Sequence, residues 1–180
     1  MHYQPQRHLL KDRIILVTGA SDGIGREAAL TYARYSASVI LLGRNDDKLR
    51  TVAQEIEREG GIPPRWFTLD LLTCTPQACQ QLAQQISMHY PRLDGVLHNA
   101  GLLGDICPME EQKPEVWQQV MQVNVNGTFM LTQALLPLLL RSESGSLVFT
   151  SSSVRRQGRA NWGAYAVSKF ATEGMMQVLA

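Results

Sequence analysis

The amino-acid sequence predicts an α/β fold built on a parallel, doubly wound sheet. Short aliphatic or β-branched runs alternate with longer amphipathic segments along the 180 residues, and this alternation is typical of parallel sheets whose strands are joined through helices. A hydrophobic content of 44% is enough for one domain with a single core. Small or polar residues follow the strand-like runs, at the positions where open parallel sheets bind their ligands.

Five strands and five helices are predicted in alternation. The strands cover residues 13–18, 38–43, 65–70, 94–98 and 146–150, and the helices cover residues 25–35, 46–59, 76–90, 114–141 and the segment from 163 onward. Right-handed crossovers between these strands give the order 3-2-1-4-5, the Rossmann-type arrangement. Its ligand crevice is expected between the first and fourth strands, at their carboxyl ends.

A glycine-rich turn follows the first predicted strand. Gly19 permits a tight turn, Gly23 lets a backbone approach a pyrophosphate, and Gly25 lets the next helix pack closely on the strand. The N–H groups at the start of that helix are available to phosphate oxygens. The spacing G-x-x-x-G-x-G differs from the commoner G-x-G-x-x-G, so the prediction of a dinucleotide site depends on its position directly after a strand.

Three polar side chains near the end of the sequence form a candidate catalytic group. Tyr165 and Lys169 are four residues apart and share a face of a predicted helix, while Ser152 lies thirteen residues before the tyrosine. A tyrosine titrates near pH 10, and adjacent positive charge lowers that pKa toward neutrality. Such a phenol can pass a proton to a carbonyl oxygen that a serine hydroxyl holds. Alternatively, Tyr165 and Lys169 are an ordinary helix-surface pair.

Together these motifs resemble the short-chain dehydrogenase/reductase family, from about residue 12 to the last residue. The family uses Thr-Gly-x-x-x-Gly-x-Gly for its cofactor and a serine with Tyr-x-x-x-Lys for its chemistry. The stretch His98-Asn99-Ala100-Gly101 corresponds to the family's usual Asn-Asn-Ala-Gly, with histidine in place of the first asparagine. Asn124 falls where the family has its fourth catalytic residue.

The resemblance implies an oxidoreductase that transfers hydride between a nicotinamide cofactor and a carbonyl or alcohol substrate. Tyr165 would be the acid/base, and Lys169 would lower its pKa and bind the nicotinamide ribose. Ser152 would orient the carbonyl, and Asn124 would support a proton relay through its backbone carbonyl. A cofactor-binding sensor or scaffold without turnover is the alternative function. The expected cofactor-binding residues are Gly19, Ser21, Gly23, Ile24, Gly25, Arg44, Asp70, Leu71, Asn99, Ala100, Gly101, Tyr165 and Lys169.

Residues after the second and third strands indicate that the cofactor is NADP. Arg44 lies where NAD-preferring enzymes place a carboxylate, and its guanidinium can pair with a ribose 2′-phosphate. Alternatively, Arg44 is a solvated surface residue. Asp22 opposes the NADP assignment, because many NADP-using family members have a basic residue there. Asp70 and Leu71 resemble the family's adenine-contacting pair, although Asp70 could equally cap the following turn.

Composition limits the expected partners to small molecules and further copies of the chain. A net charge of +1, with basic residues scattered among acids, gives no case for nucleic acid or an anionic membrane. The longest apolar run is far shorter than the roughly 20 residues that cross a bilayer. The three cysteines lack metal-ligand spacing, so no metal is expected, and their odd number favours a reduced, cytoplasmic protein.

Residues 1–180 are interpreted as a single dinucleotide-binding and catalytic domain that lacks the family's C-terminal substrate segment. Since family members continue past this point, the fold is expected to be C-terminally incomplete and the 180-residue chain by itself inactive. The helices predicted at 114–141 and from 163 onward are apolar on more than one face, which together with the resemblance implies a homodimer or homotetramer. Alternatively, both helices are buried under the C-terminal segment.

Three arginines lie between the candidate serine and tyrosine. Arg155, Arg156 and Arg159 are close enough to the site to favour an acidic substrate. A solvated loop is the alternative, and it is favoured because such charges are commonly exposed.

Overall fold

The computed structural model describes residues 5–155 and 157–180. Its strands are β1 (Ile14–Thr18), β2 (Ser38–Gly43), β3 (Arg65–Thr68), β4 (Gly95–His98) and β5 (Ser146–Phe149). They form one five-stranded parallel sheet in the order β3-β2-β1-β4-β5, which confirms the predicted fold. Val17 of β1 is in register with Leu41 of β2 on one side and Leu97 of β4 on the other. The carboxyl ends of the central strands therefore meet at one edge of the sheet.

Helices cover both faces of the sheet in the described residues. They are α1 (Gly23–Arg34), α2 (Asp46–Arg58), α3 (Pro76–Ser87), α4 (Pro114–Met121), α5 (Thr128–Leu139) and α6 (Gly163–Leu179). On one face, Val17 packs in a buried cluster with Leu30 of α1 and Leu49 of α2. On the other face, Leu16 packs in a second cluster with Leu131 of α5. Because adjacent strand residues point to opposite faces, the continuously apolar β1 supports both layers.

Short polar side chains set the starts of the first three helices. Asp22, Asn45 and Thr75 each accept a hydrogen bond from a backbone N–H in the first turn of α1, α2 and α3, respectively. Side-chain caps of this kind satisfy donors that lack a partner within the helix. The Asp22 cap explains why α1 begins at Gly23, two residues before the predicted start at 25.

The helix predicted over 114–141 is not continuous. Between α4 and α5 the chain forms a π-helical turn, Gln122–Gly127. The turn contains valine, asparagine and glycine, which have low helix propensity, and single π turns occur frequently at functional sites. Gly127 approaches Leu71 so closely that a Cβ would lie 2.8 Å from the Leu71 carbonyl oxygen. The widened turn places Asn124 in the interior, where the residue is 3% exposed.

Candidate active site

The glycine turn after β1 has the backbone conformation that the sequence predicts. Gly19 and Gly23 have φ values of 64° and 53°, in the left-handed region that glycine adopts without a steric penalty. An ideal Cβ at Gly25 would lie 2.5 Å from Asn99 Nδ2 and closer still to the Gly19 carbonyl oxygen. The turn therefore has no room for a side chain where α1 meets the end of β4.

A cleft of about 410 Å³ opens at the carboxyl edge of the sheet, around the ends of β1, β2 and β4. Nine of the predicted cofactor-binding residues line it, namely Gly19, Ser21, Gly23, Arg44, Asp70, Leu71, Asn99, Ala100 and Gly101. The other four, Ile24, Gly25, Tyr165 and Lys169, are not part of its lining. Ile24 is 70% exposed, and Gly25 packs against the Gly19 carbonyl. Apolar walls come from Leu42, Leu69, Leu72, Leu102 and Val123, which the sequence analysis did not select.

Thr18 joins the ends of β1 and β4 at the floor of the cleft. Its Oγ1 accepts the backbone N–H groups of Asn99 at 2.9 Å and Ala100 at 3.0 Å. Thr150, just after β5, donates to Asn99 Oδ1 at 3.3 Å. Asn99 is thus held from both neighbouring strands, which fixes the backbone that lines the cleft.

Asp70 stabilises a turn after β3, which is one of the two interpretations that the sequence left open. Its carboxylate accepts the backbone N–H of Leu72 at 2.9 Å, and its carbonyl accepts the N–H of Thr73 at 3.2 Å. These bonds define a turn of the type that aspartate commonly stabilises. Asp70 and Leu71 also line the cleft, and their contact with adenine stays a prediction.

Tyr165 and Lys169 share a face of α6, as their spacing predicts. The Lys169 Nζ lies 5.4 Å from the centre of the Tyr165 ring and donates to the Thr150 carbonyl at 2.8 Å. Lys169 is only 5% exposed, and this burial lowers the pKa of its ammonium. A Cβ at Gly101 would lie 3.8 Å from the same Nζ. Because Gly101 lines the cleft, the ammonium lies directly beside it.

Asn124 ties the π-helical turn to the loop after β4 and to α6. Its Oδ1 accepts the Leu102 N–H at 2.7 Å, and its Nδ2 donates to the Leu102 carbonyl and to Ser168 Oγ, both at 2.9 Å. Ser168 in turn donates to the Tyr165 carbonyl at 2.7 Å. Ser168 was not among the predicted site residues, although a small polar residue three positions after Tyr165 was the available signal.

The predicted serine lies in the connection that follows β5. Ser152 is half-buried, whereas Ser153 is exposed and begins a short 3₁₀ turn. Ser151 has a buried Oγ with no hydrogen-bond partner among the described residues. Of the three arginines that follow, Arg159 is exposed, and Arg156 and the side chain of Arg155 lie outside the described residues.

His98 is an interior residue at the end of β4. Its ring stacks on Phe149 with 4.8 Å between ring centres, and its Nε2 lies 3.0 Å from Thr132 Oγ1. Because the Thr132 hydroxyl donates to the Thr128 carbonyl at 2.7 Å, it accepts from His98, which fixes the proton on Nε2. Burial lowers the pKa of His98 to about 4, so the ring is neutral at ordinary pH.

The fold and this site define the class of protein. The chain matches the family model described as short chain dehydrogenase over residues 13–180, and it belongs to the short-chain dehydrogenase/reductase family. Over 180 residues it is 79% identical to the uncharacterized oxidoreductase YciK of Escherichia coli K12. The alignment covers all of this chain and 71% of that relative.

Two solved structures of similar proteins contain a nicotinamide cofactor. A short chain dehydrogenase of Shigella flexneri 2a, complexed with NADP, is 78% identical with a TM-score of 0.95 and covers 97% of this chain and 73% of its own. A second, from Escherichia coli CFT073 and complexed with NADPH, is 79% identical with a TM-score of 0.96 and the same coverage.

The described residues contain neither a candidate membrane span nor a candidate metal site. None of their helices combines the length and apolar character needed to cross a bilayer. Within the same residues, no group of three or more histidine, cysteine, aspartate or glutamate side chains is placed to hold a metal ion.

Proposed function

We propose that the intact protein is an NADP(H)-dependent oxidoreductase that interconverts a carbonyl compound and an alcohol. The observation that carries this proposal is the buried Lys169 ammonium, 5.4 Å from the centre of the Tyr165 ring and adjacent to Gly101 of the cleft. Burying a cation costs desolvation free energy, so packing alone does not account for its position. A cation placed to stabilise the phenolate that proton transfer leaves behind does account for it.

The residues of the cleft fit a dinucleotide cofactor. The left-handed glycines and the missing Cβ at Gly25 let a pyrophosphate approach the backbone at the start of α1. Arg44 at the cleft supplies a guanidinium for a ribose 2′-phosphate. The NADP and NADPH complexes of two relatives at 78% and 79% identity support the same cofactor here. When bound, this cofactor supplies or accepts the hydride.

Tyr165 moves the proton in the proposed reaction. During carbonyl reduction, its phenol O–H donates the proton to the substrate oxygen, and the Lys169 ammonium stabilises the phenolate that remains. The hydrogen bond from Lys169 to the Thr150 carbonyl holds the ammonium in place. Ser152 is the proposed donor that orients the substrate oxygen.

Asn124 supports the site in a different way. Its side chain is fully engaged by Leu102 and Ser168. The role in a proton relay that the resemblance implies therefore falls to its backbone carbonyl, while its side chain positions the start of α6 through Ser168 and Tyr165.

Replacing Tyr165 with phenylalanine in the intact protein tests the proposal. Turnover of a panel of ketones, quinones and aldehydes with NADPH is expected to disappear, because the acid/base is lost. The NADPH dissociation constant should stay within a few-fold, since the ring and Lys169 remain. Tyr35→Phe, at the end of α1, serves as the matched control. Retained turnover in Tyr165→Phe would exclude Tyr165, and a wild-type protein that is saturated with NADPH yet inactive on the whole panel would favour a sensor.

Assembly, location and domain extent stay predictions. Phe129 of α5 and Val167 and Phe170 of α6 are 50%, 41% and 46% exposed, and these apolar surfaces support a homodimer or homotetramer. We likewise propose a cytoplasmic location and a single dinucleotide-binding and catalytic domain over residues 1–180. The proposed turnover concerns the intact protein.

A further inference from the structure

Positive charge at the cleft is arranged differently from positive charge on the adjoining surface. Arg26 pairs with Glu55, and Arg34 pairs with Glu59, across the α1–α2 surface. Arg44 lines the cleft and is exposed, yet it makes no ion pair within residues 5–155 and 157–180. Its guanidinium is therefore available to an anion.

Asp22 brings a negative charge to the same cleft. Its carboxylate caps α1 by accepting the Gly23 N–H at 2.8 Å, and Asp22 lines the cleft together with Arg44. An unpaired carboxylate at this position would repel a phosphate. The ammonium of Lys48, in the first turn of α2, lies 2.9 Å from the Asp22 carboxylate. Lys48 thus reaches the rim of the cleft and neutralises the acid that opposes NADP binding.

We infer that Lys48 is a specificity-determining residue for NADP(H), acting beside Arg44 as a second cation for the ribose 2′-phosphate. This inference rests on the proposed cofactor. Arg44 directly follows β2 and Lys48 lies in the first turn of α2, where the Lys48 backbone N–H donates to Asn45 Oδ1 at 2.9 Å. The side chains of Lys48 and Asp22 are 56% and 77% exposed, and exposed ion pairs are weak. A doubly charged phosphate can therefore draw the ammonium away from Asp22.

The neighbouring cation on α2 is not equivalent. Arg50 is bound within its own helix, to Asp46 at 2.7 Å and to Asp47 at 3.5 Å. Two carboxylates thus hold its guanidinium at the outer surface of α2. Lys48 is held by one exposed carboxylate that itself lines the cleft, so it needs only a short movement to reach a ligand there.

Calorimetric titration of the intact protein with 2′,5′-ADP and with 5′-AMP tests the inference, because the two probes differ by the 2′-phosphate. Lys48→Met is expected to weaken 2′,5′-ADP binding by about three- to tenfold and to leave 5′-AMP within about twofold. Lys48→Arg should restore most of the loss. Lys11→Met removes the same charge from an exposed residue before β1 and should leave both affinities unchanged.

A second variant separates direct contact from simple neutralisation. Asp22→Asn keeps the helix cap, and it should tighten 2′,5′-ADP binding by about threefold because Lys48 is released. Lys48→Met should still weaken 2′,5′-ADP binding in that background. Full recovery in the double variant, or an equal effect of Lys48→Met on both probes, would overturn the inference. A wild-type protein that does not prefer 2′,5′-ADP would instead overturn the assignment of NADP itself.

Discussion

The two halves of the sheet build their parts of the site in different ways. In the half formed by β1, α1, β2 and α2, the cleft depends on glycine backbone conformation and on charges at exposed positions such as Arg44. In the half formed by β4, the π-helical turn, β5 and α6, the polar groups are interior. Asn124, Lys169 and His98 are 3%, 5% and 5% exposed, and each is hydrogen-bonded to a neighbouring element.

This difference indicates how each half responds to substitution. Replacing a glycine at a close backbone contact causes a steric collision that moves the backbone. Replacing a residue of a buried polar network leaves hydrogen-bond donors and acceptors without partners. Exposed ion pairs contribute little to stability, so in the cofactor half a change of charge should cost little stability and an increase in side-chain volume should cost much. In the catalytic half, both kinds of change should lower stability.

The largest effect is expected at Gly25, where the cofactor half has no free volume. A Cβ there would lie 2.5 Å from Asn99 Nδ2, so Gly25→Ala forces the turn away from β4. We expect a loss of about 3 kcal/mol or more in the free energy of unfolding by urea, together with loss of NADPH binding by calorimetry.

The matched glycine control is on α6. A Cβ at Gly174 would meet nothing within 4 Å, and alanine has the higher helix propensity. Gly174→Ala should therefore stabilise the protein by about 0.5–1 kcal/mol. If Gly25→Ala kept both wild-type stability and NADPH affinity, the steric account of the cofactor half would be wrong.

The next effect concerns the buried network of the catalytic half. Asn124→Ala leaves the Leu102 N–H and carbonyl and the Ser168 hydroxyl without their Asn124 partner. We expect a loss of about 2–4 kcal/mol in the free energy of unfolding. Asn126→Ala, in the same π-helical turn but exposed, should change it by no more than about 0.5 kcal/mol. If the two variants lost equal stability, the cause would be substitution within the π-helical turn and not loss of the buried hydrogen bonds.

The sequence predicts those features that depend on local pattern. The strand order follows from the alternation of elements, the turn from Gly19, Gly23 and Gly25, and the α6 face from the spacing of Tyr165 and Lys169. The structure has all three features. They could be predicted because the strands, the turn and the helix face are each encoded by residues close together in the chain.

Features that depend on tertiary contact were not predicted. In the π-helical turn between α4 and α5, Asn124 is bonded to Leu102, 22 residues earlier in the chain. The pairing of Asp22 with Lys48 joins two helix starts that are 26 residues apart. From the sequence alone, Asp22 is interpreted as a charge that opposes NADP binding, because Lys48, the cation that neutralises it, is distant in the chain.

The last effect is absent at neutral pH and develops only in acid, and it again separates the two halves. Exposed carboxylates of the cofactor half, such as Asp22 and Asp46, have their pKa values lowered, chiefly by hydrogen bonds from Lys48 and Arg50, respectively. In the catalytic half, burial lowers the pKa of His98 from 6.5 to about 4. Between pH 6.5 and about 4, His98 is therefore protonated in the unfolded chain but neutral in the folded protein.

His98 should consequently make the free energy of unfolding fall as the pH is lowered from about 6.5 to 4, by roughly 3 kcal/mol in total. Above pH 6.5 its contribution does not change, and below pH 4 the loss levels off. Urea titrations between pH 4 and 7.5 measure this slope. His98→Asn should flatten it by the same amount, whereas His89→Asn, at an exposed position, should leave the wild-type slope. An unchanged slope in His98→Asn would mean that the histidine is hydrated or protonated in the fold, and the catalytic half would then be more open to water than its packing indicates.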